Sequence, residues 1–123
     1  MDKSTNGSFE VIDELRAGAN RLAAREQANE LRYVRRLALD AINARDEWRA
    51  RMARYNRALI AHDLSNDHES IVDAGRRVSW ALREYRLARF HAAQAADDAG
   101  LASRHPEEIL AEIAALGLDL SGD

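Results

Sequence analysis

The chain has 123 residues, a net charge of −3 and a hydrophobic share of 46%, of which alanine supplies 24 residues. That length fits one domain, but alanine buries little surface and each buried CH2 contributes only about 0.8 kcal/mol, so the composition excludes a large core. The absence of cysteine excludes a disulfide scaffold, a cysteine zinc site and a cysteine nucleophile.

The start, Met1-Asp2-Lys3-Ser4, carries no apolar stretch of the signal-peptide kind. The uncharged runs 90–96 and 113–118 fall far short of the roughly 20 residues that a membrane helix needs. The expectation is a soluble, cytoplasmic protein without a membrane segment. Seventeen of the 18 basic residues are arginine. Codon usage in a GC-rich genome accounts for such a bias; the functional alternative is arginine chosen for planar, two-pronged contacts with anions.

Strand patterns are nearly absent, and Ala, Leu, Arg and Glu carry the chain, so the fold class is all-α. The first helix is predicted over about 9–62, with residues 1–7 flexible. Ser8 is its N-cap, and Glu10, Asp13 and Glu14 lie in its early turns, where the helix dipole favours acids. Its apolar stripe runs Ile12, Leu15, Ala19, Leu22, passes polar Glu26 and Asn29, and resumes as Tyr33, Leu37, Ala41, Ala44, Trp48, Met52, Tyr55 and Leu59. Such a helix is about 80 Å long. Gly18 costs about 1 kcal/mol against alanine inside a helix, so a break at 18–20 is the alternative. Glu26 and Asn29 on the stripe would set register or line a site.

Leu64-Ser65-Asn66-Asp67 reads as a turn, with Ser65, Asn66 and Asp67 as capping residues. The second helix follows over about 67–99, with Ile71, Gly75, Val78, Leu82, Tyr85, Arg89, Ala92 and Ala96 on one face and Gly100 as its stop. After a connector over 100–105, Pro106 opens a third helix over about 106–116. Glu107 and Glu108 lie in its first turn, and Ile109, Leu110, Ile113 and Leu116 form its apolar face. Gly117 ends it, with Leu118 packing back on Ile113 and 118–123 flexible.

A short turn between two long helices makes an antiparallel, coiled-coil-like hairpin in which paired residue numbers add to about 131. Gly75 then faces Tyr55, and the alanines of 92–99 face 31–39, small against large. The third helix, continuing in the direction of the second, is predicted over Leu15, Ala19 and Leu22. Trp80, Leu87 and Phe90 lie off the main stripe, as do Leu39, Ile42 and Ile60. Apolar residues on a second face need a second partner, so Trp80, Leu87 and Phe90 are the candidate self-association residues of a homo-oligomer.

Two clusters are candidates for chemistry. His62, Asp67 and His68 lie in the turn and are weak metal-ligand candidates, because their spacing matches no metal motif and they suit helix ends by dipole alone. No cofactor is implied. Arg49, Arg51, Arg54, Arg76, Arg77 and Arg83 gather near the turn in the hairpin register and would contact an acidic partner. The same arginines, with nearby aromatics, would alternatively bind nucleic acid through phosphates and stacking. No phosphate loop, nucleophile elbow or zinc-protease motif is present. The reading is therefore a non-enzymatic protein interaction, assembly or regulatory module. Viral and phage assembly proteins fit such a small helical chain.

Overall fold

The structure is a computed structural model. It describes the backbone of residues 3–65 and 68–121 and the side chains of 10–60 and 71–121. Three helices follow one another: α1 Lys3–Ser65, α2 His68–Asp98 and α3 Pro106–Ala115. α2 returns along α1, and α3 closes over one end of the pair. The predicted turn caps at Asn66 and Asp67, and the side chain of Ser65, lie outside the described residues.

α1 runs unbroken through Gly18 for 63 residues, about 95 Å at 1.5 Å per residue. It starts at Lys3, so Ser8 is an interior position and not the N-cap, and the expected flexible stretch 1–7 is helical from Lys3 onward. Serine inside a helix is only mildly unfavourable, and an upstream turn can form without stopping there. Glu10, Asp13 and Glu14 consequently lie beyond the first turn, where the dipole offers them little.

The α1–α2 seam is built on small residues against large ones. A Cβ placed on Gly75 would sit 3.4 Å from the Tyr55 ring, so the two helices approach closely there. The Trp48 ring stacks on Tyr85, with centroids 5.9 Å apart and planes inclined by 16°. Further along, Ala92 and Ala96 are fully buried in one cluster with Leu31, Val34, Ala38 and Ala41. These pairings keep the register centred on the turn.

Gly100 ends α2 in the left-handed region, at φ +82°. Its N–H donates to the Asp97 carbonyl (3.0 Å) and the Leu101 N–H to the Ala96 carbonyl (2.9 Å), the two bonds of a Schellman end. Leu101 then turns into the core.

α3 keeps the expected direction but not the expected position. Arg45 Nη1 donates to Glu107 Oε1 at 2.6 Å, while Arg32 Nε and Arg35 Nη2 donate to the Leu120 carbonyl at 3.0 and 3.4 Å. The start of α3 therefore lies near residue 45 of α1 and the tail near residue 32. The connector doubles back, and α3 runs antiparallel to α1 over 28–45, not over Leu15, Ala19 and Leu22. An extended connector of six residues reaches about 20 Å, which is the length of 13 helical residues. That reach makes the return possible. The docking sites that favour it, Leu31, Val34 and the two arginines, exist only in this stretch.

Docking α3 here changes which residues are core. Pro106, Ile109, Ile113 and Leu120 are buried, and Leu31, Val34, Ala38 and Ala41 are buried beneath them. Leu116 and Leu118 are 46% and 44% exposed. Leu120, two residues on, is the side chain that docks. Of the tail predicted to be flexible, 118–121 is held in place, with Asp119 accepting a bond from the Ser121 N–H at 3.0 Å. Tyr33, Met52 and Leu59, placed on the predicted stripe, are exposed. Glu26 and Asn29 are also exposed, so they set no register; Asn29 accepts a surface bond from Arg32 at 2.7 Å.

Carboxylates fasten the connector and tail. Glu112 accepts the N–H groups of Ala102 (3.0 Å) and Ser103 (2.8 Å), and bonds from Ser103 and Ala102 hold it below the usual carboxylate range. The Arg45 hydrogen bond does the same for Glu107 and raises the arginine in turn. Ser121 lowers Asp119. No helix among the described residues is long and apolar enough to cross a membrane.

Candidate interaction surface

The inner face of α2 is set by Val78, Ala81, Tyr85, Ala88, Ala92 and Ala96, all buried or half-buried. The opposite face has no cover. Trp80 is 61% exposed, Leu87 51% and Phe90 62%. At 3.6 residues per turn the three side chains fall within an arc of about 80°, and exposed Val72 lies at the edge of the same arc. α3 does fold back, but onto α1 and the end of α2, so it leaves this face open.

Grooves border Trp80 on two sides. One, of about 590 Å3, runs between α1 and α2 and is lined by Arg51, Arg76, Arg77, Trp80, Glu47 and Glu84, with two alanines at its base. On the other side, a shallower groove of about 340 Å3 lies between Trp80 and Arg83. A third, of about 570 Å3, is lined by Arg83, Arg86, Leu87 and Phe90. The Arg83 guanidinium lies 6.0 Å from the Trp80 ring centre, within cation–π range. Trp80 thus stands as an apolar ridge edged by guanidinium groups.

The structure brings together some of the predicted arginines and separates others. Arg51, Arg76 and Arg77 share the large groove, and Arg83 adjoins it across Trp80. Arg54 is exposed about one turn beyond Arg51. Arg49 lies on the far side of α1, where its charge acts on Glu107. The large groove is not purely basic: Arg51 Nε donates to Glu47 at 2.8 Å, and Glu84 lies beside it. An anion entering would meet two carboxylates among three arginines.

His62, Asp67 and His68 lie outside the residues whose side chains are described. Among the described residues, no three His, Asp or Glu side chains are placed to hold a metal ion. Two buried donors, Arg45 Nε and Trp48 Nε1, have no hydrogen-bond partner. Both belong to the α1 seam, and neither borders the grooves at Trp80.

These features define a class by shape alone: an all-α, three-helix hairpin with a thin alanine seam and a large apolar face left open. Compared with known proteins, the chain matches no family model, no curated protein and no solved structure.

Proposed function

We propose that the protein is a non-enzymatic helical assembly module that pairs with a second copy of itself through Trp80, Leu87 and Phe90. The observation that carries this reading is a contrast in side-chain size. Several of the largest apolar residues are exposed on one arc of α2, while five of the eleven buried apolar residues are alanine. An exposed apolar face of this kind, interrupted by Arg83 between Trp80 and Leu87, marks an interaction site, and small domains with little core volume are commonly completed by another chain. Arg51, Arg76 and Arg77 beside this face and Arg83 within it suit an acidic segment of a protein partner, giving orientation more than affinity.

Nucleic-acid binding through the same arginines and Trp80 is the second reading, and Arg76 and Arg77 beside an exposed indole support it. Glu47 and Glu84 in that groove work against it. Salt separates the two. Self-association of a face rimmed by arginine brings like charges together, so screening strengthens it. Phosphate binding weakens steeply with salt. Light scattering across a concentration series, at low and at moderate salt, is expected to show mass rising with concentration at both. Constant monomer mass would end the self-association reading. Tight, salt-sensitive binding of a nucleic-acid duplex or single strand would move the reading to the alternative.

A further inference from the structure

Residues 10–27 of α1 extend past both other helices, and every one of them except Gly18 is exposed. The segment spans about 27 Å. It carries Val11, Leu15, Gly18 and Leu22 at steps of four, three and four, with Leu15 68% exposed. This is the seam spacing of a two-helix coiled coil. One flank of the seam carries Glu10, Glu14 and Arg21, and Arg25 takes the next seam step beside them, so that two acids are followed by two bases, arranged symmetrically about residues 17–18.

Nothing within the helix explains that order. Glu10 and Glu14 are four residues apart, as are Arg21 and Arg25, and like charges at that spacing oppose each other. The acids lie beyond the first turn and the bases are mid-helix, so the dipole does not call for either. Among the described residues, no ion pair engages any of the four.

We infer that segment 10–27 pairs antiparallel with the same segment of a second copy. In that arrangement Val11 meets Leu22 and Leu15 meets Gly18, while Ile12 meets Ala19 beside them. Each contact sets a large residue against another's shape, as Gly75 against Tyr55 does within the chain. On the charged flank, Glu14 faces the second copy's Arg21 position and Glu10 its Arg25 position, twice over by symmetry. A parallel pair would set acids beside acids and bases beside bases. This deepens the self-association reading by adding a second contact surface, about 40 Å along the hairpin from Trp80.

The absence of native cysteine allows single spin labels at A17C and A24C, read by pulsed electron resonance. The full chain is used, in a W80S/L87S/F90S background so that α2 contributes no pairing. Antiparallel pairing places the A17C labels near the two-fold and the A24C labels roughly 10 Å further apart. The charge test uses two variants of the labelled chain, E10R/E14R and R21E/R25E. Each alone is expected to lose the dipolar coupling, and an equal mixture to regain it. Neither variant changes the like-charge spacing within the helix, so helix stability does not explain a recovery. Absent coupling in the parent chain, equal distances at the two labels, or undiminished coupling in either charge variant would overturn the inference. None of those results bears on Trp80, whose own test is the concentration-dependent mass of the E10R/E14R chain with and without W80S.

Discussion

Replacing Trp80 by serine is the sharpest test of the open α2 face. With 61% of the side chain exposed and about 250 Å2 available on an indole, roughly 150 Å2 can be buried by a partner. At about 25 cal/mol per Å2 that is an upper bound near 4 kcal/mol. Truncating a central aromatic anchor commonly costs about 2–4 kcal/mol, so the dissociation constant of the homodimer should rise roughly 30- to 1,000-fold. The buried remainder, about 100 Å2, limits the loss of monomer stability to about 2 kcal/mol.

Those two effects are read separately. Sedimentation velocity over a concentration series gives the association, and far-ultraviolet circular dichroism at the same temperature reports whether the helices persist. With E10R/E14R present to remove pairing through 10–27, the expected result for W80S is retained helicity with monomer mass at concentrations where the E10R/E14R chain itself is dimeric. Phe90→Ser, also at the exposed face, should act in the same direction and more weakly. If W80S in that background associates as its Trp80 parent does, Trp80 is not the anchor.

Other substitutions probe how the scaffold presents that face. Ala92→Leu forces extra volume into a fully buried position and should cost about 1–3 kcal/mol, whereas Ala102→Leu at an exposed site should change the urea midpoint little. Gly100→Ala has open space around its new methyl but a φ of +82°, so the whole penalty, about 1–2 kcal/mol, is conformational and should appear in chemical denaturation. Ile109→Ala removes a fully buried side chain and should cost about 2–5 kcal/mol, with amide exchange rising first in 101–120. The hydrogen bonds of Glu112, Glu107 and Asp119 lower their folded-state pKa values, so their stabilisation is present above the unfolded value, about 4, and is lost as the pH falls through the lower folded values. The amide resonances of Ala102 and Ser103 should follow Glu112 through that acid transition, and Glu112→Gln should flatten it.

The helices were legible in the sequence because their signals are local. Pro106 opens α3 and Gly100 closes α2 through backbone preferences that need no tertiary context. The hairpin register was legible for a different reason: Gly75 is small opposite Tyr55, and the alanines of 92–99 are small opposite 31–39. Trp80, Leu87 and Phe90 were readable as a second face from helical spacing alone. The position of α3 along α1 was not readable. It depends on how far an extended connector can retrace, and on arginine-to-carbonyl bonds that leave no trace in spacing. Arg32 and Arg35 looked like any other surface bases, yet they meet the Leu120 carbonyl. The stripe through Leu31, Val34, Ala38 and Ala41 was present at steps of three, four and three. Tyr33 drew attention from it by size, although a surface tyrosine with Arg36 lying over its ring needs no burial.

The return of the connector, which sets α3 beside α2 and not beyond it, decides more than the packing of the core. Had α3 run on past the end of α2, it would have covered Leu15 and Leu22, and the long first helix would have been a partnered element throughout. By turning back it concentrates the larger buried side chains of the core, Leu31, Val34, Leu101, Ile109, Ile113 and Leu120, at one level of the rod. It leaves two apolar surfaces elsewhere: the arc of α2 at Trp80 and the projecting stretch 10–27. If each pairs with its own copy about a separate two-fold axis, one molecule has two different self-complementary contacts. Such a molecule builds an extended series of copies unless the two axes happen to close a ring. The arginines at the α2 arc and the acid-then-base flank of 10–27 then give the contacts opposite salt responses, the first strengthened by screening and the second weakened. Mass measured against salt should therefore depend on which surface has been removed: rising with salt when 10–27 carries E10R/E14R, and falling with salt when α2 carries W80S/L87S/F90S. The same salt trend in both variants would mean that one surface, or neither, carries the association.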